Sequence, residues 1–366
     1  MRTLEKLRAL VIDDSAYSRQ TISRMLRGSP LVEVVGTARD GEEALRKAFA
    51  LEPDLITVDL EMPKMDGFTF LRIVMSKRPT PVLVISGRDQ DEDVFKALEL
   101  GAVDFIAKPT PHTMPMLTSI ERELLRKVHA IRDLRIDKVS ERMHALPSMV
   151  GHAGRGEVPR AVVLGASTGG PAALMRIFGA FATPPPCPFL VAQHMPEGFT
   201  RSFAERLDRL TAFHCAEAQG GEEPEPGTIL VAPGGRHLEL ELRNGRLATR
   251  TIANLGGEKY APSVDRLFES AAKAYGRDLL GVVLTGMGDD GRLGARAIKD
   301  TGGRVIAESG ETAIIFGMPQ QAIRSGAVDR VLPLDQIAAA IQPDVDRPIR
   351  TVRGEVDFRA FRRGHL

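Results

Sequence analysis

Residues of the types that acyl transfer requires stand at three points where an apolar run gives way to a glycine-bearing loop. Ser167 lies in AVVLGASTGGPAAL, His194 follows PFLVAQ and precedes MPEGF, and Asp289 and Asp290 follow LLGVVLTGMG. A serine hydroxyl becomes a nucleophile only with a base to take its proton and an acid to orient that base, and geometry defines such a trio, not chain order. The run from Gly165 to Gly169 satisfies G-x-S-x-G, the sharp strand-to-helix turn that lifts a serine above a sheet. The same glycines could cradle a phosphate at a helix N-terminus, although the spacing is neither G-x-G-x-x-G nor G-x-x-x-x-G-K. His214 within TAFHCAEA and His237 at the start of HLELEL read as strand histidines, which leaves His194 as the strand-end base. Asp289 and Asp290 both open a helix, where an N-cap is the commoner role, and the residues alone leave the choice between them open.

A second constellation lies earlier. Asp13 and Asp14 close a first apolar strand, Asp59 a third, Ser86 a fourth and Lys108 a fifth. Singly, the acids read as helix caps and Lys108 as a surface lysine. On neighbouring parallel strands the three carboxylates converge and repel unless a hard cation such as Mg2+ holds them in the charged form. With the hydroxyl and the lysine they describe a phosphoryl-binding pocket in which one carboxylate can be the nucleophile.

The elements that must carry these residues follow from hydrophobic patterning. Short apolar runs (RALVID, VEVVGT, DLITVD, PVLVIS, VDFIAK) alternate with helical patterns, which means βαβ units and a parallel sheet covered on both faces. After a proline-rich stretch, the charged helical run SIERELLRKVHAIRDLR leads to a polar linker. A second series begins at RAVVLGAS and continues through PFLVAQH, TILVAP, LLGVVLTG and GGRVIAE, with Asn244-Gly245 marking an antiparallel hairpin, so the second domain reads as mixed α/β. The expected boundaries are 1–128, a linker at 129–158, a catalytic domain at 159–343 and an arginine-bearing tail at 344–366.

Composition narrows the function classes. The 366 residues suit two domains, each able to form a core from a chain that is 43% hydrophobic. With 49 Lys and Arg against 48 Asp and Glu, nothing suggests a chain built to coat nucleic acid. No apolar run approaches the ~20 residues of a membrane span, and the N-terminus lacks a cleavable apolar segment. The expectation is a soluble cytoplasmic monomer without direct membrane insertion. Cys187 and Cys215 form neither a disulfide framework nor a zinc spacing.

Residues 7 to about 128, including VDLEMPKMDG, resemble the receiver domain of bacterial response regulators. GASTGG, QHMPEGF, APGGRHL, APSVD and LTGMGDDG resemble the catalytic domain of the chemotaxis-type protein-glutamate methylesterases, the CheB family. The first resemblance implies a flavodoxin-like, five-stranded parallel N-terminal domain in which Asp59 accepts the phosphoryl group. Asp13 and Asp14, with Asp59, would hold Mg2+, Ser86 and Lys108 would sense and pair with the phosphate, and Phe105 would be the aromatic switch. The second implies a C-terminal doubly wound α/β hydrolytic domain, without a cofactor of its own, with Ser167 as nucleophile, His194 as base and Asp290 as its orienter. Thr168 and Met287 would supply the oxyanion donors. The implied substrates are glutamate γ-methyl esters, and glutamine amides, of methyl-accepting chemoreceptors. The implied phosphodonor is a chemotaxis histidine kinase, with the unphosphorylated receiver covering the catalytic crevice. Before Pro262 the chain reads Lys259-Tyr260-Ala261, where many members of the family carry a more basic pair. A phosphate-binding output module without catalysis leaves His194 and Asp290 without work, and a DNA-binding regulator needs a recognition helix that the alternating strands do not offer.

Overall fold

A computed structural model describes residues 6–87, 91–109, 120–131, 159–256 and 258–341. The chain divides into two compact units, Met1–Ala145 and Leu146–Leu366. In the first, β1 (Leu7–Ile12), α1 (Ala16–Arg27), β2 (Val32–Ala38), α2 (Gly41–Leu51) and β3 (Leu55–Val58) are followed by α3 (Gly67–Lys77), β4 (Val82–Ser86), α4 (Asp91–Glu99), β5 (Asp104–Ala107) and α5 (Glu121–Ile131). The five strands are parallel in the order β2-β1-β3-β4-β5. Every residue of β3, β4 and β5 is buried, which is why these strands read as unbroken apolar runs rather than alternating ones. The helices start where side-chain oxygens take up free backbone N–H groups: Ser15 for α1, Asp40 for α2 and Asp66 for α3. Helix α5 runs through Ile131, and the rest of the expected linker, like the tail, lies outside the described residues.

The second unit contains β6 (Ala161–Ala166), α6 (Gly170–Gly179), β7 (Phe189–Gln193), α7 (Phe199–Leu210), β8 (His214–Glu217), β9 (Thr228–Val231), β10 (Arg236–Arg243) and β11 (Arg246–Ala253). It continues with α8 (Val264–Tyr275), β12 (Leu279–Val283), α9 (Arg292–Asp300), β13 (Arg304–Glu308), α10 (Met318–Arg324), β14 (Arg330–Leu332) and α11 (Leu334–Ile341). Seven strands form one sheet in the order β14-β13-β12-β6-β7-β9-β8, with all pairs parallel. The expected hairpin is present, with Arg243 opposite Arg246 and positive φ at both Asn244 and Gly245, as a two-residue turn demands. The parallel sheet and the antiparallel pair together make the domain mixed, as expected, with the hairpin standing apart as its own two-stranded sheet. Its Leu238 and Leu240 join Leu267, Phe268 and Ala271 of α8 in one core cluster instead of extending the parallel sheet.

The second unit is closely packed where the site forms. A Cβ on Gly165 would lie 2.2 Å from Cγ1 of Val264, so the start of α8 rests directly on the end of β6. Phe178, Phe189 and Phe213 meet edge to face with centroids 5.2–5.6 Å apart and anchor α6 to the sheet. Strand β6 is central, and the chain leaves it toward β7 on one side and later returns on the other at β12. This is the topological switch point, where an open α/β sheet leaves a crevice at its strand ends.

Candidate active site and phosphoryl-acceptor site

In the first unit, register brings the predicted residues to one rim. Ile12 pairs with Val58 and the Asp59 N–H donates to the Ile12 carbonyl at 3.0 Å, so Asp13 and Asp59 stand side by side. Ligand oxygens of Asp13, Asp14 and Asp59 lie within 4.8 Å of one another; Asp13 and Asp59 are buried and Asp14 is exposed. Ser86 pairs across to Ala107, and the Lys108 N–H donates to the Ser86 carbonyl at 2.7 Å. The Lys108 ammonium reaches Oδ2 of Asp13 at 2.9 Å and forms an ion pair with Asp59. Burial pushes the Asp13 carboxyl above its usual range although Lys108 pulls against it, whereas Lys108, itself disfavoured by burial, is raised by the two carboxylates. Arg19 donates to the carbonyls of Asp13 and Asp14 at 2.7 and 2.8 Å and fixes the loop. Phe105 is buried, and its carbonyl accepts from Lys127, a buried lysine of α5 that also bonds Asp104 at 3.0 Å. The all-oxygen carboxylate set suits Mg2+, and the exposed Asp14 keeps one side open to solvent and substrate.

In the second unit, β6, β7 and β12 are neighbours, and the three predicted residues follow them. Ala166 pairs with Gln193 and the His194 N–H donates to the Ala166 carbonyl at 3.0 Å, so Ser167 and His194 begin adjacent loops. Ser167 is half-buried between buried Ala166 and Thr168, as the elbow turn requires, and Gly169 adopts φ +77°. Gly286 approaches so closely that a Cβ there would lie 2.8 Å from the Ser167 Cβ. Two N–H groups of the glycine loop are used internally, Ser167 to the Thr285 carbonyl and Gly170 to the Ser167 carbonyl, which argues against an open phosphate cradle.

His194 Nε2 lies 2.8 Å from Oδ2 of Asp290. Asp290 also accepts from the Val264 N–H at 2.7 Å, the Asp265 N–H at 2.8 Å, the Gly291 N–H at 3.1 Å and the Ser263 hydroxyl at 3.1 Å. Burial opposes its charge, but the His194 bond and these donors outweigh it and hold the carboxyl below its ordinary range. An ionised carboxylate can only accept, so Nε2 carries the proton and Nδ1 is the basic nitrogen. Nδ1 is buried without a hydrogen-bond partner among the described residues. Asp290 does not cap α9, whose first turn follows Gly291; it takes the first N–H groups of α8 instead. Asp289 is exposed and faces Lys259 at 3.6 Å. His214 is exposed and paired with Asp208 at 3.1 Å, while His237 is buried with Nε2 3.3 Å from Glu258. Thr168 and Met287 sit on the loops that meet beside Ser167.

Motif reading missed Tyr260, whose ring is stacked on His194 with centroids 4.7 Å apart and planes 7° apart. The Lys259 ammonium lies over the Tyr260 ring at 4.7 Å. Both line a cleft of about 210 Å³, together with Asp289, Asp290 and Leu293. The signal that could have found Tyr260 is the departure from the family pattern at Lys259-Tyr260-Ala261. Thr285, which joins the Ser167 loop to the β12 loop, has no such signal.

Comparison with known proteins identifies both units by family. The CheB methylesterase family matches residues 162–341 and the response regulator receiver domain residues 9–118. Protein-glutamate methylesterase/protein-glutamine glutaminase 1 of Myxococcus xanthus (strain DK1622) is 52% identical over 333 residues, which cover 91% of this chain and 95% of that protein. The corresponding protein 3 of Geobacter sulfurreducens is 46% identical over 360 residues, covering 92% of this chain and 97% of that one. Among solved structures, the Thermotoga maritima CheB methylesterase catalytic domain is 41% identical with a TM-score of 0.48, covering 50% of this chain and 98% of that one. A receiver domain followed by a CheB methylesterase domain, at such identity across nine-tenths of the chain, makes this protein a member of the protein-glutamate methylesterase/protein-glutamine glutaminase family.

Proposed function

We propose that the second unit hydrolyses glutamate γ-methyl esters of methyl-accepting chemoreceptors, and that a chemotaxis histidine kinase raises this activity by phosphorylating Asp59. Ser167 Oγ attacks the ester carbonyl while His194 Nδ1 takes the hydroxyl proton. The resulting imidazolium is stabilised by Asp290, and the tetrahedral oxyanion by the N–H groups of Thr168 and Met287. The C–O bond to methoxide breaks as His194 returns the proton, and methanol leaves. Water, activated by the same nitrogen, then attacks the acyl-serine, and glutamate and the free serine are restored. A glutamine side chain enters the same cycle with ammonia as the leaving group. The observation that carries this reading is the His194–Asp290 pair at the strand end in register with Ser167: a buried, ionised acid on one ring nitrogen and no partner among the described residues on the other.

In the first unit, Asp13, Asp14 and Asp59 would hold Mg2+, which supplies charge neutralisation for an incoming phosphoryl group. Lys108, already on Asp59 and Asp13, would turn toward the new phosphate oxygens, with Ser86 on the next strand end. Drawing Lys108 away from Asp13 and Asp59 changes the end of β5, a local charge event with a structural readout.

The test uses the full chain and receptor membranes carrying tritiated methyl esters. Ser167→Ala is expected to reduce labelled methanol release to background, and Asp59→Asn to keep basal release while abolishing stimulation by acetyl phosphate and Mg2+. Undiminished release from Ser167→Ala rules out the catalytic reading, and full stimulation of Asp59→Asn rules out the regulatory one.

A further inference from the structure

The loops expected to supply the oxyanion donors are far apart in the chain and meet at one buried side chain. Thr285 has no exposed surface and uses every polar group it has. Its carbonyl accepts from the Ser167 N–H at 3.0 Å, and its hydroxyl donates to the Thr168 carbonyl at 3.0 Å. The same hydroxyl oxygen accepts the Ile315 N–H at 3.0 Å. The Thr285 N–H donates to Oε2 of Glu308 at 2.8 Å, a fully buried carboxylate at the end of β13 whose Oε1 accepts from the Thr312 hydroxyl at 3.0 Å. The next residue continues the join: the Gly286 N–H donates to the Ile315 carbonyl at 3.0 Å, and its carbonyl accepts the Met318 N–H at 2.8 Å. The segments following β6, β12 and β13 are thus held together at Thr285 and Gly286, and Thr285 is the one whose side chain takes part.

We propose that Thr285 is a positioning residue for catalysis: its hydroxyl sets the orientation of Thr168 relative to the Gly286–Met287 peptide, so that the Thr168 and Met287 N–H groups converge on one oxyanion. This rests on the serine-hydrolase reading above. Backbone donors stabilise a tetrahedral intermediate only within roughly 2.7–3.1 Å of the developing charge. Thr168 and Met287 lie beyond the last pair of the β6–β12 ladder, Gly165 with Val283, and past it the Ser167 N–H to Thr285 carbonyl bond fixes the start of the two turns but not the peptides that follow. The Thr285 hydroxyl is the direct side-chain link across the 117-residue separation. Glu308 in turn fixes the Thr285 backbone from below, which explains an acidic side chain with no exposed surface at the end of β13. The demand falls on the transition state and not on substrate binding, since the fully buried Thr285 offers a substrate no surface to touch.

The experiment measures kcat and KM of the full chain on tritiated-methyl receptor membranes for wild type, Thr285→Val, Thr285→Ser and Ser167→Ala, with thermal midpoints by circular dichroism. Valine keeps the shape and removes the hydroxyl bonds. The expected result is a kcat lower by about 10- to 100-fold, the cost of misplacing a reacting group by up to an ångström, with KM unchanged within about twofold. Thr285→Ser, which restores donor and acceptor, is expected to recover kcat to within about threefold of wild type. A wild-type kcat in Thr285→Val, a loss carried by KM, or a serine variant as slow as the valine one overturns the positioning role. Should the valine variant not fold, Thr285→Cys replaces it: the weak thiol donor is expected to give a kcat well below that of Thr285→Ser, and equality of the two overturns the proposal. Activity remaining in Ser167→Ala would instead overturn the serine reading, so the two failures are distinguishable.

Discussion

The replacement Asp290→Asn removes one charge and one acceptor oxygen from a group that uses both oxygens. Oδ1 accepts from the Ser263 hydroxyl, the Asp265 N–H and the Gly291 N–H, and Oδ2 from the Val264 N–H and His194 Nε2. An amide keeps its single oxygen where three donors converge, so its NH2 faces the Val264 N–H and His194. His194 can then bond it only by accepting at Nε2, which moves the ring proton to Nδ1 and leaves no base toward Ser167. The wrong tautomer of a catalytic histidine costs roughly 10⁴-fold in kcat in a serine protease, about 5.4 kcal/mol at about 1.36 kcal/mol per tenfold. Separately, the Val264 N–H loses a charge-assisted bond and meets another donor, which costs about 1.5–3 kcal/mol of stability. The two effects are read by different measurements: release of labelled methanol from receptor membranes, and a denaturant titration monitored by circular dichroism. Because the triad acts as a unit, Asp290→Asn added to Ser167→Ala is expected to lower activity no further. An Asp290→Asn enzyme folded like wild type and within tenfold of its kcat would refute the tautomer argument.

Two further outcomes follow from neighbours of the triad. Tyr260→Phe keeps the ring that is stacked on His194 and is expected to stay within about twofold of wild-type kcat, whereas Tyr260→Ala loses an aromatic contact of about 0.5–1.5 kcal/mol and slows turnover by about 2- to 10-fold; equal rates in the two variants would show that the stack does not hold the base. Asp265 accepts from the Gly294 N–H at 2.7 Å, yet burial first, and then the charge of Asp290, raise its pKa from 3.8 to about 6. The folded chain therefore binds more protons than the unfolded one between these values, and this group's penalty grows as pH rises through that window and is complete above it. Asp265→Asn removes the penalty: its stability relative to wild type should rise by about 1–2 kcal/mol from pH 4 to pH 8, allowing for partial solvent screening. Denaturant titrations showing a gap independent of pH, or one that shrinks, would contradict this.

The alternation of apolar runs and helical patterns is local information, and it determined both parallel sheets, their turns and the Asn244-Gly245 hairpin. Residue chemistry at strand ends was equally legible, since a strand that ends in Asp, Ser, His or Lys in a parallel sheet has one rim on which to put it. Asp13, Asp59, Ser86 and Lys108 stand at neighbouring strand ends of one sheet, and Ser167 and His194 at neighbouring strand ends of the other. Tertiary structure alone decided the rest. Asp289 and Asp290 are indistinguishable as letters, and they part only because one faces solvent and Lys259 while the other is buried beneath α8, 96 residues from the histidine it holds. The hairpin's separation from the main sheet depends on α8 offering Leu267 and Phe268 to it, and β14, three residues at the sheet edge, is too short to carry a period. Tyr260 and Thr285 do their work through a ring face and a buried hydroxyl meeting partners across long loops. Such pairings arise when the strands close the sheet and bring distant turns to one crevice, and no local pattern of residue types encodes which of them will touch.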